Sequence, residues 1–187
     1  MKVVIDMKLL YKIISKISEY LEEDYIKSKL NYVSDEAKKT VIIDKGVKIL
    51  NPNVTLGKNV HLYYNVIIFG DGPIFIDDNV KIGFNTVIYS DKRGGINIGK
   101  RCSIAANSYI IDTNHSTQSI VDGKNREDTS ELVIIGDDVW IGAECVISKG
   151  SILNDGVIVG ANSFVNNKIS ENCIVAGSPA RLIRKRE

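Results

Sequence analysis

Aliphatic residues recur at a six-residue step through the middle of the chain, and this step limits its fold more than any other feature. The series runs Leu56, Leu62, Ile68, then Ile76, Ile82, Ile88, then Ile98, Ile104, Ile110. It resumes at Ile135, Ile141, Ile147 and continues through Leu153, Val159 and Val165. All fifteen are Ile, Leu or Val, and the residue two places before each is Val, Ile, Thr, Cys or Ser. Two inward residues separated by one outward residue describe a short strand, because side chains alternate faces along a strand. A strand and a corner every six residues, with extra residues entering only after each third unit, predict a parallel β-helix over residues 54–166 with three units to a coil.

Each corner falls just after the aliphatic residue. Gly57, Asp77, Gly99, Gly136 and Asn154 stand there after the first units, and Gly83, Gly142 and Gly160 after second units. These residue types tolerate positive φ, so the turn conformation is expected at that position. The step lengthens from Ile68 to Ile76, from Ile88 to Ile98, and most of all from Ile110 to Ile135. Every break follows a third unit, so the inserted segments 69–75, 89–97 and 112–132 are expected along one edge of the prism, the usual place for a solenoid's binding side.

The ends of the chain read differently. Leu9, Leu10, Ile13, Ile14, Ile17 and Leu21 recur at three and four, which predicts an amphipathic helix over residues 7–30. Residues 1–40 are expected to form a helical segment, 41–178 the β-helix with 41–50 as an irregular first coil, and 179–187 a basic tail expected to be helical. The chain of 187 residues has a formal net charge of +1 and scattered aromatics, which argues against a nucleic-acid surface. Asp6, Lys8, Lys12 and Lys16 interrupt the N-terminal apolar runs, so neither a signal peptide nor a transmembrane helix is expected, and the location inferred is cytoplasmic. Cys102 and Cys145 occupy small inward positions and read as core filler; Cys173 falls outside the counted repeat and reads as structural. No metal site is expected.

Only two histidines are present. His61 takes an outward position in a regular unit and reads as a surface residue. His115, in IIDTNHSTQ, stands at the root of the longest insertion, where a neutral imidazole suits a general base near pH 7. The single tryptophan, Trp140, belongs to the next coil, and stacking of coil four on coil three is expected to bring it to the same edge as a wall of a ligand slot.

The repeat, the NHS-type histidine before a long loop, and the motifs DDVWIGAECVI, IVGANSFV and VAGSPARLIRK together resemble the hexapeptide-repeat acyltransferases, in particular the maltose, galactoside and capsular-polysaccharide O-acetyltransferases. The resemblance covers about residues 40–187. It implies a left-handed parallel β-helix, a homotrimer with active sites between adjacent subunits, acetyl-CoA as co-substrate and a sugar acceptor. By the same resemblance His115 matches the general base, and the Ala143 amide a position near the thioester. Ala161, Asn166 and Asn167 match contacts to the pantetheine arm, Arg181 and Arg184 contacts to the nucleotide end, and Asn85 and Asp91 contacts to the acceptor.

Two departures stand out. Asn166–Asn167 replaces the family's Thr-Lys, with Lys168 displaced by one, and STQ after His115 replaces a His-Pro type, which points toward surface-polysaccharide sugars. The group that orients His115 is left open among Asp112, Glu127, Asp128 and a backbone carbonyl. The alternatives to sugar O-acetylation are N-acetylation of an amino-sugar nucleotide and a non-catalytic scaffold. A zinc enzyme on the same fold would need three histidines across an interface, and two are present.

Overall fold

A computed structural model describes residues 8, 11–18, 21, 35–116 and 128–186. It shows a parallel β-solenoid of about six turns, the fold class expected. The first units form one six-stranded face, from Val54–Leu56 to Lys168–Ile169, and the third units another, from Lys48–Ile49 to Phe164–Val165. The second units form a face that begins at Ile42–Ile43 and reaches Cys173–Gly177.

Equivalent residues stack in register, so that Leu62 pairs with Ile82, Ile82 with Ile104, Ile104 with Ile141, and Ile141 with Val159. None of the fifteen repeating aliphatics is more than 2% exposed. Burial of side chains this size stabilises by roughly 1.5–3 kcal/mol each, which makes the axial column the main source of stability. The small inward positions carry polar atoms that bond to the neighbouring coil: Ser151 Oγ donates to the Val165 carbonyl at 3.0 Å and Cys102 Sγ to that of Gly136 at 3.0 Å. Burial pushes the Cys102 thiol up to about 12, which fits a filler role and excludes a ready nucleophile.

The corners correct one expectation. Positive φ does not fall on the residue after the aliphatic one; it falls two residues later, at Asn59, Asn79, Arg101 and Asp138 on one corner and at Asn65, Asn85, Asn107, Glu144 and Asn162 on the next. There the backbone N–H reaches down to the coil below, as from Asn79 to the Lys58 carbonyl at 2.8 Å. The glycines serve close approach instead. A Cβ on Gly83 would lie 2.6 Å from the Ala106 nitrogen, and one on Gly99 2.7 Å from the Gly136 backbone. The Asn side chains also form ladders, Asn59 to Asn79 at 3.1 Å and Asn65 to Asn85 to Asn107 at 3.2 Å each.

The solenoid is longer than the counted repeat. Ile43 and Ile49 begin an extra coil, tied on by His61 Nε2 against Asp44 Oδ1 at 3.2 Å, with the His61 ring stacked on Tyr63. At the other end Leu153 pairs with Ile169 and Val159 with Val175, so a last coil follows a step of only four residues from Val165. This places Cys173 inside the repeat, buried at a small inward position. The C-terminal tail is not helical: Ala180–Lys185 is a strand antiparallel to Cys173–Gly177, reversed at a cis Ser178–Pro179 bond. The free edge of the second face offers backbone groups a short helix could not use, and Ala180 is buried against it.

At the N-terminus residues 11–18 are helical, and the stripe Ile13, Ile14, Ile17 and Leu21 is exposed. Leu9 and Leu10 lie outside the described residues, as do 22–34. A second short helix, Asp35–Lys38, leads into the first coil. Among the described residues no helix is long and apolar enough to cross a membrane.

Gly83→Ala should lower unfolding stability by roughly 1–3 kcal/mol through overpacking against the coil above. Denaturant titration followed by circular dichroism reads this as a lower midpoint.

Candidate active site

The three insertions leave from one edge, each linking a third-face strand to the next first-face strand. They stack as the coils do, and Asp112 holds them together. Fully buried, its carboxylate accepts from the Ser90 hydroxyl at 2.6 Å and the Asp91 N–H at 2.8 Å, both on the coil below, and from the Gly95 N–H at 2.5 Å. Its backbone carbonyl accepts from the Glu131 N–H at 2.9 Å. Asp112, one of the groups considered for orienting His115, is therefore committed to the scaffold.

Beyond Asp112 the longest insertion opens as a hairpin, Thr113–His115 antiparallel to Asp128–Ser130. Residues 117–127, including Glu127, lie outside the described residues. The register sets His115 opposite Asp128, and His115 Nδ1 lies 2.6 Å from Asp128 Oδ1. An ionised carboxylate only accepts, so Nδ1 carries the proton and the neutral ring presents Nε2 as a lone-pair acceptor. The histidine side chain is 72% exposed and can meet a substrate without rearrangement.

A second chain of bonds steadies this hairpin. Asp91 Oδ1 accepts from the Arg93 N–H at 3.0 Å, from Arg93 Nε at 3.2 Å and from the Ser130 hydroxyl at 2.8 Å, and Ser130 Oγ lies 3.0 Å from Thr113 Oγ1. These donors, the Arg93 N–H first and the Ser130 hydroxyl next, hold the Asp91 carboxyl below its usual range. Beside the hairpin is a cleft of about 350 Å³ walled by Phe69, Tyr89, Tyr109 and Ile111, with Asn114, His115 and Asp128 at its rim. None of the four walls was singled out from sequence, because each sits at an outward position that the repeat leaves free.

The other candidates are elsewhere. Trp140 does not share the edge of His115: it is an outward residue of the second face, 55% exposed, across the prism from the insertion edge. The coil number is right, but the unit decides the face, and Trp140 belongs to a second unit. Its strand neighbours are Ser103 and Ile158. Ala143 and Ala161 lie on the corner between second and third faces, in one column with Ala106 where lower coils carry Tyr64 and Phe84. Gly142 and Glu144 give their N–H groups to Val159 and Ala106, whereas no hydrogen bond among the described residues uses the N–H of Ala143 or Ala161. Asn85, on the same corner, is engaged in the Asn ladder.

Arg181 and Arg184 are carried by the last strand, and Arg184 pairs with Ile174, one strand from Ile158 and two from Trp140. Arg184 and Arg186 border a hollow over Ile158 and Ile174. Asn166 and Asn167 are exposed at the turn from third to first face, and Asn167 shares a cavity of about 220 Å³ with Arg181 at the end of the prism. One chain thus holds two separate groups: a histidine–carboxylate pair at the insertion edge, and small, aromatic and basic residues along the second face and its far corner.

A family model described as "Bacterial transferase hexapeptide (six repeats)" matches residues 133–167, and one described as "Hexapeptide repeat of succinyl-transferase" matches 73–111. The galactoside O-acetyltransferase of Escherichia coli K12 is 30% identical over 175 residues, covering 93% of this chain and 85% of its own. A protein of the same strain, WbbJ, provisionally named as a lipopolysaccharide biosynthesis O-acetyl transferase, is 36% identical over 125 residues, 63% of each chain. The fold is also that of AntD from Bacillus cereus, an N-acyltransferase crystallised with dTDP-4-amino-4,6-dideoxyglucose and coenzyme A, at a TM-score of 0.77, 24% identity and 89% coverage of both chains.

Asp112→Ala strands three buried or half-buried donors and should lower stability by at least about 3 kcal/mol, seen as a lower denaturation midpoint. The Asp91 carboxylate stabilises the fold while ionised. Since its folded pKa is depressed, the loss of stability in Asp91→Asn should be full above about pH 4. The gap to wild type should close as pH falls through the lowered value, which thermal melts across pH 2–6 would follow.

Proposed function

The chain belongs to the hexapeptide-repeat acyltransferase family, and from that premise we propose that it transfers an acetyl group from acetyl-CoA to a sugar hydroxyl, with His115 as general base. The His115–Asp128 pair carries this reading: a carboxylate fixing Nδ1–H leaves Nε2 free to take the acceptor's proton. As the proton leaves, the acceptor oxygen attacks the thioester carbonyl, and collapse of the tetrahedral intermediate expels the CoA thiolate. No acyl-enzyme is required, since holding both substrates in one groove provides much of the acceleration. Asp128 then faces the imidazolium and stabilises it.

The rest of the assignment concerns acetyl-CoA. The Ala106–Ala143–Ala161 column has no bulky side chain, and the free N–H groups of Ala143 and Ala161 suit the thioester oxyanion and a pantetheine carbonyl. Arg181 and Arg184 suit the phosphates, with Asn166 and Asn167 near the same end and Trp140 flanking the acyl region. Asn85 and Asp91 remain assigned to the acceptor side.

The alanine column, Trp140 and the two arginines lie on or beside the second face, away from the edge that carries His115. A cofactor bound along them would meet the base of a neighbouring copy rather than its own, which supports a homotrimer with each site shared by two subunits. The acceptor is a surface-polysaccharide or oligosaccharide sugar, in line with the two relatives named for O-acetyl transfer, and the setting is the cytoplasm, where acetyl-CoA is available.

His115→Ala should lower kcat by roughly 10²–10⁴-fold while calorimetric CoA binding stays within twofold. Undiminished turnover in that variant would reject the mechanism. Asp128→Asn should lower kcat about tenfold or more with little change in acetyl-CoA KM. Product treated with hydroxylamine should release its acetyl group, as an ester does and an amide does not. Mixed oligomers of His115→Ala with Arg181→Ala/Arg184→Ala should regain activity, because one interface then combines an intact base with intact arginines.

A further inference from the structure

The cleft beside His115 has a chemical character that the transfer mechanism does not itself require. Phe69 and Tyr89 are directly paired on adjacent third-face strands, and their rings stack at 4.5 Å with planes 25° apart. Ile111 continues this outward row on the next coil. The two rings form a continuous apolar wall ending at the His115–Asp128 pair. At about 350 Å³ the space is at the small end of ligand sites. Apart from the His115 ring and the phenols of Tyr89 and Tyr109, its lining bears no donor stronger than an amide or hydroxyl.

Among the described residues the charges that act on the Tyr89 side of this wall are carboxylates. Burial, and then the negative field of Asp91, Asp71, Asp128 and Asp112, pushes the Tyr89 hydroxyl above the usual phenol range, so it stays a donor. The nearby cation Arg93 is held on Asp91 at 3.2 Å, and His115 on Asp128. The basic residues Arg181, Arg184, Lys185 and Arg186 gather on the last strand and the residue after it, across the prism. One molecule thus keeps its phosphate-binding chemistry away from the cleft where the acceptor must enter.

We propose that the stacked Phe69–Tyr89 pair is the platform for the acceptor's pyranose ring, and that the surrounding carboxylates select a neutral glycoside over a nucleotide-linked sugar. The inference rests on the O-acetyltransferase reading and names its acceptor class. A pyranose presents one face of C–H groups that covers an aromatic wall, while its hydroxyls meet Asp128, Asn114 and the Tyr89 phenol. A diphosphate placed there would meet several like charges in a partly dry cleft, where repulsion is stronger than in water.

The test is a thiol-release assay with acetyl-CoA and a panel of p-nitrophenyl glycosides, set against UDP-galactose and UDP-N-acetylglucosamine. The best neutral glycoside should exceed both nucleotide sugars at least tenfold in kcat/KM. Tyr89→Ala and Phe69→Ala should each raise its KM at least tenfold and leave acetyl-CoA KM within twofold, while Tyr89→Phe keeps most of the affinity. Preference for a nucleotide sugar, or an unchanged KM in both alanine variants, would overturn the proposal. Saturation-transfer NMR with the same glycosides reads binding without turnover. Glycoside signals present with wild type and lost with Tyr89→Ala support the platform even if no acetyl group moves, in which case only the catalytic reading fails. Absence of such signals with wild type overturns the platform.

Discussion

Everything in this molecule depends on coils stacking in register through backbone hydrogen bonds. Each strand is only two to five residues long except the last, so no strand could hold its place alone. Register comes from the corners, where one amide points up, another points down, and a glycine lets the two backbones approach. Once register is fixed, every outward position becomes part of a vertical column. Function is then a matter of what each column carries: asparagine along one corner, alanine giving way to aromatics along the same corner, and insertions along the opposite edge.

The insertion edge shows how such a scaffold holds an exposed imidazole without a rigid element beneath it. His115 lies at the end of a two-strand hairpin, an element of marginal stability by itself. Asp112 anchors its root to two neighbouring segments, and Asp91 clasps its return strand through Ser130. Asp128, opposite His115 in the ladder, then fixes the ring. The orientation of one imidazole is thus passed down through carboxylates in series, each using a different set of donors.

Much of this was legible in the residues. The repeat revealed the coils, the core and the shared edge of the insertions, because burial imposes a period that survives any outward substitution. Other features were hidden for identifiable reasons. The last coil escaped the count since the step from Val165 to Ile169 is four residues. Glycine after the aliphatic residue suggested positive φ, although its purpose is contact and the twisted residue is the asparagine two places on. Trp140 was set on the wrong side of the prism because counting coils ignores which third of a coil a residue occupies. Asp128 could not be chosen over Asp112, since the pairing spans thirteen residues and depends on hairpin register. The C-terminal strand looked helical because short basic tails carry no period, and an unfilled sheet edge is visible only in three dimensions.

That strand, Ala180–Lys185, bears on more than the two arginines it displays. A parallel stack ends in a row of unpaired backbone groups, and another molecule's first coil could in principle extend it indefinitely. The final strand reverses direction, its register against the preceding strand shifts between Ile174 and Val175, and it exposes Arg181, Arg184 and Lys185 together with Leu182 and Ile183. A parallel coil stacked on this face would have to pair with an antiparallel strand instead of one that follows the repeat. The residues assigned to nucleotide binding thus also interrupt the parallel ladder on one face, so substitutions made there to probe affinity should be checked for self-association as well.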